Sequence, residues 1–299
     1  MKDNNKAFLA LAWISFFWGT TYIASKIATH EIQGLFLAAV RLLCSGIIIV
    51  TWFLLKGHRI PDIKTLFILS IQSIFLLILG NGLSTWAIQY ISSGLASIIS
   101  ALIPLEIVLF SILILKKTRF TLLLLIGLFA GFGGLLIIFH EYFADIFQKE
   151  YAFGIMLALI AGVMWSIGSV ITSKYKTTTN VLFGAGIQML IAGIILLPIC
   201  IASGYSMNLF EANTESILSL IYLIIIGSVI TYSLFIYANI KLNPARVSVY
   251  AYINPVVAIL LGWLILQEKL NGWIALGTLI TLTGVYIVNN EFRKQRKIT

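Results

Sequence analysis

A chain of 299 residues that is 60% hydrophobic and only 10% charged cannot be an ordinary water-soluble globule, for which about 45–50% apolar and about 25% charged residues are usual. It needs a solvent that accepts apolar side chains, and a bilayer is one. The net charge of +9 does not make it a nucleic-acid binder, because the basic residues fall between apolar blocks and form no continuous basic face.

Crossing about 30 Å of hydrocarbon takes roughly 20 apolar residues in a helix. Ten runs of that kind follow one another, at about residues 7–28, 32–55, 65–90, 94–115, 120–139, 152–174, 181–203, 216–240, 245–266 and 270–289. They are continuous rather than alternating, so helices that satisfy their own backbone are expected, not a β-barrel. The first run follows Lys2 and Lys6 like a signal peptide. At about 22 residues it exceeds the usual 7–15-residue core and it has a counterpart later in the chain, so it is read as a retained span. Cys44 and Cys200 sit inside apolar runs without CxxC spacing, which reads as two free buried thiols.

The second half repeats the first. Shifted by 147, "GLFLAAVRLLCSGII" from Gly34 and "VLFGAGIQMLIAGII" from Val181 agree at seven of fifteen positions, Gly46/Gly193 among them. Shifts of 148 and 151 align Lys26 with Lys174, Ser97 with Ser248 and Pro104 with Pro255. The expected fold is an all-α membrane protein of ten transmembrane helices in two five-helix repeats, residues 1–145 and 146–299, joined as one transport domain. Five is odd, so the second repeat enters the membrane inverted. With the N-terminus cytoplasmic, sixteen Lys and Arg fall on inner segments, three (Lys26, Lys149 and Lys269) on outer ones, and Arg41 within a span. That is the skew of the positive-inside rule. Inverted repeats predict alternating access around a midplane site.

Pro104 and Pro255 stand at the centres of spans four and nine. Each removes a backbone donor and frees the carbonyl four residues earlier, that of Ser100 or Ala251. Matched broken helices mark a binding site or hinge; a kink that only aids packing is the other reading.

The stretches "FFWGTTYIASKIA", "YINPVVAILLGWLILQEKLNGW" and "GTLITLTGVYIV" resemble the drug/metabolite transporter superfamily, in particular EamA-type permeases, over about Ala7 to Val288. The resemblance implies ten helices in two inverted repeats, both termini cytoplasmic, and export or exchange of small metabolites. It also implies a central cavity built mainly from spans one, three, four, six, eight and nine. The first half departs from the pattern, because Lys117 stands where the second half has the usual acid, Glu268. No carboxylate belongs to the family pattern at Glu106.

Arg41 and Glu106 are the two formal charges deep in spans, roughly 14–18 Å below the outer face at 1.5 Å per residue. Such charges pair or face water. Glu106 is read either as a proton-coupling carboxylate, with Arg41 as charge partner or as anchor for a substrate carboxylate, or as a structural clamp. Counting 100° per residue puts Glu106 on the face of Ile99, Leu102, Ile103 and Phe110, away from the small face of Ser97, Ala101 and Pro104. Asn81, Thr85 and Gln89 form a polar stripe on span three, and Ser228, Tyr232 and Asn239 on span eight; Asn81 and Tyr232 are repeat partners. Such stripes bond neighbouring helices or line a wet cavity. Trp18, Tyr22, Trp165 and Tyr252 have polar handles suited to ring-bearing cargo, or are packing residues. The expected substrate-binding set is Trp18, Tyr22, Asn81, Trp165, Tyr232 and Tyr252. Three scattered histidines offer no metal-ligand spacing and there is no nucleotide-binding loop, so no cofactor, no metal and no enzymatic activity are expected. The reading is a secondary carrier in a bacterial cytoplasmic (inner) membrane, a monomer or weak dimer taking a small molecule; a channel or membrane sensor is the alternative.

Overall fold

The computed structural model describes residues 2–115, 121–141, 148–205, 207, 209–242, 244–248, 250–268 and 270–298. Every regular element among them is helical. Seven helices are long and apolar enough to cross a membrane: Asn5–Ala28, Gly34–Leu55, Ile63–Tyr90, Ser93–Ile114, Lys149–Lys174, Val181–Ala202 and Thr214–Leu242. Three shorter apolar helices, Leu122–Ile138, Ile253–Leu266 and Gly272–Val288, fall where the remaining runs were expected. Leu55, Ile63, Leu122 and Phe129 are each more than 70% exposed, a surface that only lipid covers cheaply.

In chain order the elements are α1 (Lys2–Ala28), α2 (Gly34–Leu55), α3 (Ile63–Ser73), α4 (Leu83–Tyr90), α5 (Ser93–Ser100), α6 (Ile103–Leu115) and α7 (Leu122–Glu141). The second half has α8 (Lys149–Lys174), α9 (Val181–Ala202), α10 (Thr214–Tyr222), α11 (Thr231–Leu242), α12 (Pro244–Val247), α13 (Tyr250–Leu266) and α14 (Gly272–Ile298). A π-helical segment, Ile74–Gly82, joins α3 to α4, and another, Leu223–Ile230, joins α10 to α11. Wide turns of this kind often sit at functional sites. Matched caps start α2 and α9: the Gln33 side chain accepts from Phe36 N, and Asn180 accepts from Leu182 and Phe183 N.

Glycines let helices cross in reciprocal pairs. A Cβ on Gly46 would lie 2.5 Å from Leu190 Cα, and one on Gly193 would lie 2.5 Å from Leu43 N and Cα. Each glycine therefore meets the repeat partner of the leucine that the other meets. The same exchange joins α7 to α14. Gly127 abuts Val288 as Gly277 abuts Ile138, and Gly134 abuts Thr281 as Gly284 abuts Gly131.

The helix breaks differ from expectation. Span four breaks at Ala101–Leu102, and Pro104 follows as the second residue of α6, where its missing N–H has no partner to lose. Pro255 does not break its span: it lies inside α13. The interruption there precedes Tyr250, five residues earlier, so the two breaks are not at matched prolines. Lys117 and Lys269 lie outside the described residues.

Two oppositely charged side chains tie off the loop between α4 and α5. Lys26 Nζ donates to Ile88 O (2.9 Å) and Ile91 O (2.8 Å) at the C-terminal end of α4. Glu268 Oε1 accepts from Ser93 N (2.7 Å) and Oε2 from Gly94 N (3.0 Å) at the start of α5. Cation at a C-terminus and anion at an N-terminus each complement the helix dipole. Gln267, at φ 54°, turns the chain so that Glu268 can reach. Gly262 leaves the space, since a Cβ there would lie 2.6 Å from Glu268 Oε2. Glu268→Ala is expected to destabilise the protein by about 2 kcal/mol, the scale of bonds to a charged group. Glu268→Gln should cost about half as much. Thermal unfolding in detergent micelles measures both, and an unchanged midpoint for the alanine variant would refute the cap.

Candidate functional site

The π segment before α4, the α5–α6 break and the glycines of α8 keep six helices from closing completely on one another. Between them lies a cavity of about 80 Å³, room for several waters or a small polar group. From α1 it is lined by Trp18, Thr21, Tyr22 and Ser25, from α2 by Arg41, and from the π segment and α4 by Gly80, Asn81, Ser84, Thr85 and Ile88. Ser100 and Ile103 flank the α5–α6 break; Ala161, Gly162 and Trp165 come from α8, and Tyr250 and Asn254 from α13. Span two, which is not among the spans the resemblance names as the main builders, contributes Arg41, and span eight, which is among them, contributes no lining residue.

One side of the cavity is a packed aromatic cluster. Trp18 lies 5.4 Å from Trp165, 5.1 Å from Phe235 and 5.0 Å from Tyr250, mostly edge to face. Tyr232 packs behind them, 6.3 Å from Trp165. The ring edges and faces give a broad apolar wall with polar handles. Trp18 Nε1 donates to Gly227 O at 3.3 Å.

Arg41 is the formal charge in the lining, and it is only 4% exposed. Its Nε donates to Ser228 Oγ at 2.6 Å. Gly227 gives it space, since a Cβ there would lie 3.2 Å from Nη2. Among the described residues no carboxylate pairs with its guanidinium, so two Nη groups remain to meet whatever fills the cavity. Of the two readings of Arg41, charge partner of Glu106 or anchor for a substrate carboxylate, the first is not what the structure has: the two side chains take different partners. Glu106 Oε2 instead accepts from Ser166 Oγ of α8 at 2.8 Å.

Span four does not turn its small-residue face to the cavity. Ser97 and Ala101 are buried in packing, at 0% and 1% exposure, whereas Ser100 and Ile103 reach the cavity. Glu106 is one turn beyond Ile103 and lies against Gly162, whose Cβ would stand 3.3 Å from both carboxylate oxygens. It is therefore beside the cavity wall and not on the opposite face.

Of the expected binding residues, Trp18, Tyr22, Asn81 and Trp165 line the cavity. Tyr232 does not. Its hydroxyl donates to Gln188 Oε1 at 2.6 Å, Gln188 Nε2 to Gln72 Oε1 at 2.6 Å, and Gln72 Nε2 to the Tyr175 carbonyl at 2.9 Å. The backbone of Tyr252 belongs to α13, but its side chain lies outside the described residues. The polar stripes part company. Asn81 and Thr85 line the cavity, while Gln89 accepts from Gly34 N (3.0 Å) at the start of α2. On span eight Ser228 serves Arg41, and Asn239 Nδ2 donates to Ser169 O at 3.2 Å.

The lopsidedness has a residue-level cause. Arg41 and Asn81 are the repeat counterparts of Gln188 and Tyr232. In the second half the long tyrosine reaches the glutamine and fills the space. In the first half the shorter Asn81 leaves its Oδ1 without a partner among the described residues, and a cavity remains between it and Arg41. Tyr250, Asn254 and Ser100 are lining residues that sequence reasoning passed over. The signal for Tyr250 and Asn254 was their i, i+4 spacing on one face. Among the described residues no three His, Cys, Asp or Glu side chains come together as a metal ion would require.

A helical chain with apolar outer faces and a polar and aromatic cavity between its helices is built like a membrane transporter. The profile of the EamA-like transporter family matches residues 5–140 and again 152–290, and the chain belongs to that family. It is 32% identical over 276 residues to the uncharacterized inner membrane transporter YedA of Escherichia coli K12, covering 91% of this chain and 88% of that one. An uncharacterized transporter of Archaeoglobus fulgidus is 28% identical over 291 residues, 95% of this chain and 97% of its own. A crystal structure at 20% identity superimposes with a TM-score of 0.68, over 96% of this chain and 97% of that chain, which establishes likeness of fold.

Proposed function

We infer that the chain is a secondary carrier that exports or exchanges small metabolites, amino-acid-like or aromatic, across a bacterial cytoplasmic membrane by alternating access. The observation that carries this reading is the cavity itself: an aromatic wall facing one buried cation that no carboxylate among the described residues pairs with. Aromatic faces suit a ring or apolar body, and the free guanidinium nitrogens suit a carboxylate, which they can grip in bidentate fashion.

The ten apolar helices are taken as ten crossings, in two five-helix halves at residues 1–145 and 146–299, the second inverted. The reciprocal glycine contacts of α2 with α9 and of α7 with α14 support this arrangement, because an axis in the membrane plane exchanges the members of each pair. Rocking about such an axis would expose the cavity to either side in turn. The sixteen-to-three division of basic residues supports cytoplasmic termini, and the inner-membrane description of the Escherichia coli relative agrees with the location.

The test is counterflow in proteoliposomes with a panel of radiolabelled amino acids and aromatic carboxylates. At least one compound is expected to show saturable uptake that is accelerated by the same compound inside. Flux that rises linearly with concentration and ignores the internal solute would indicate a channel instead.

A further inference from the structure

Glu106 is unlike the other acids of the chain. It sits mid-span at the first turn of α6, next to the only break in span four, and bonds across to the other half of the molecule. The groups that face it are Ser166 of α8 and, farther off, Tyr250 of α13. Neither is a cation. Arg41 is held elsewhere by Ser228, and Glu291 of α14 is engaged with Thr121. The side chain of Arg246, in the short α12 that packs on α6, is outside the described residues. Among the described residues Glu106 therefore has one hydrogen bond and no countercharge.

Ser166 has a second acceptor. Its Oγ lies 2.8 Å from Glu106 Oε2 and 3.3 Å from the carbonyl of Ile103. A hydroxyl has one proton to donate and lone pairs to receive. With Glu106 ionised, Ser166 donates to the carboxylate. With a proton on Oε2, the carboxyl donates to Ser166 Oγ, and Ser166 turns its own proton to Ile103 O. Both states are satisfied without moving a heavy atom far. Ile103 is the first residue after the break, so the second state ties α8 to the backbone at the joint of span four.

The carboxyl is also placed for water rather than for direct ligand contact. It stands just behind the cavity lining, at Gly162, which has no side chain to screen it. A substrate ammonium would need a carboxylate in the lining itself, whereas a proton can cross by water.

We propose that Glu106 is a proton-binding site, with Ser166 as its positioning residue, and that gain or loss of this proton switches the link between α8 and the α5–α6 joint and so couples flux to a pH gradient. The proton comes from cavity water, resides on Oε2, and returns to water when the carboxyl ionises. The Ser166 bond that can run in either direction suits both protonation states, and Gly162 leaves the way from the carboxyl to the cavity open. The coupling rests on the carrier reading above; the proton site does not.

Two measurements test it. Infrared difference spectra between acidic and alkaline buffer are recorded on the full chain in lipid nanodiscs. A protonated-carboxyl C=O band is expected in the wild type, lost in Glu106→Gln and displaced in Ser166→Ala. Glu106→Asp should keep a band, which guards against a glutamine variant that misfolds. Identical wild-type and Glu106→Gln spectra would overturn the site. In proteoliposomes, with a mixture of radiolabelled amino acids as probe, an imposed pH gradient should drive net flux in the wild type and fail to do so in Glu106→Gln, while counterflow persists in both. An equal gradient effect in both proteins would overturn the coupling. A wild type without counterflow would remove the carrier reading and the coupling together, with the infrared result still deciding the proton site.

Discussion

Gly46→Ala and Gly193→Ala are each expected to lower stability by about 3 kcal/mol, at or above the usual upper end for overpacking. In both cases the added methyl meets backbone atoms of the facing helix, the Cα of Leu190 or the N and Cα of Leu43, at 2.5 Å. Backbone cannot step aside as a rotamer can, so α2 and α9 must separate. The double variant should cost less than the sum of the two, because one separation relieves both contacts and neighbouring sites do not add. Gly184→Ala on the same helix is the control: its nearest atom would be the flexible Leu69 Cδ2 at 3.6 Å, and little change is expected. Thermal unfolding in detergent reads all four. Additive losses, or a loss for Gly184→Ala equal to the others, would contradict the crossing.

Replacing Arg41 is expected to abolish useful affinity for an anionic cargo. Truncating one partner of a buried charged pair typically costs about 2–5 kcal/mol, and each 1.4 kcal/mol is about tenfold. Arg41→Ala should therefore raise the half-saturating concentration in counterflow by roughly thirtyfold or more. Arg41→Gln imitates the second half, where Gln188 holds the equivalent place, and should behave like the alanine variant. Arg41→Lys keeps a charge but loses the fork and the Nε that bonds Ser228, so partial recovery is expected. Thermal unfolding separates lost binding from lost folding. Here removal of a buried cation with no carboxylate partner among the described residues should leave the midpoint unchanged or raise it, since none of those residues carries a charge that its loss would orphan. Wild-type affinity in Arg41→Ala would remove the anchor role.

The same reasoning explains why a neutral hydroxyl suffices beside each intramembrane charge. Ser228 orients Arg41 and Ser166 orients Glu106, each from the opposite half of the chain. Neither serine neutralises the charge it touches. The two charges remain available at different walls, one in the lining and one behind it.

Helix positions, the doubling and part of the cavity lining were legible in the sequence, because hydropathy, glycine spacing and residue type are local properties of the chain. Gly46 and Gly193 could be matched by eye, and Trp18, Tyr22, Asn81 and Trp165 could be nominated. Their partners could not, since a contact such as Gly46 with Leu190 joins positions far apart in the chain. The 100° count sets Glu106 beside Ile103, as the structure does, but a count along one helix cannot tell which face meets the cavity: the neighbouring helices leave Ser100 and Ile103 facing inward and Glu106 against Gly162. Tyr232 was misplaced because a residue type does not say whether its hydroxyl meets a neighbour, and Gln188 lay within reach. The reach of Glu268 to the amides of Ser93 and Gly94 also depended on the fold, which brings the end of α13 to the start of α5. Local chemistry determined that this chain is a bundle of doubled membrane helices. Only the tertiary packing decided where the bundle stays open, because a cavity is what remains where two side chains from distant segments fail to meet.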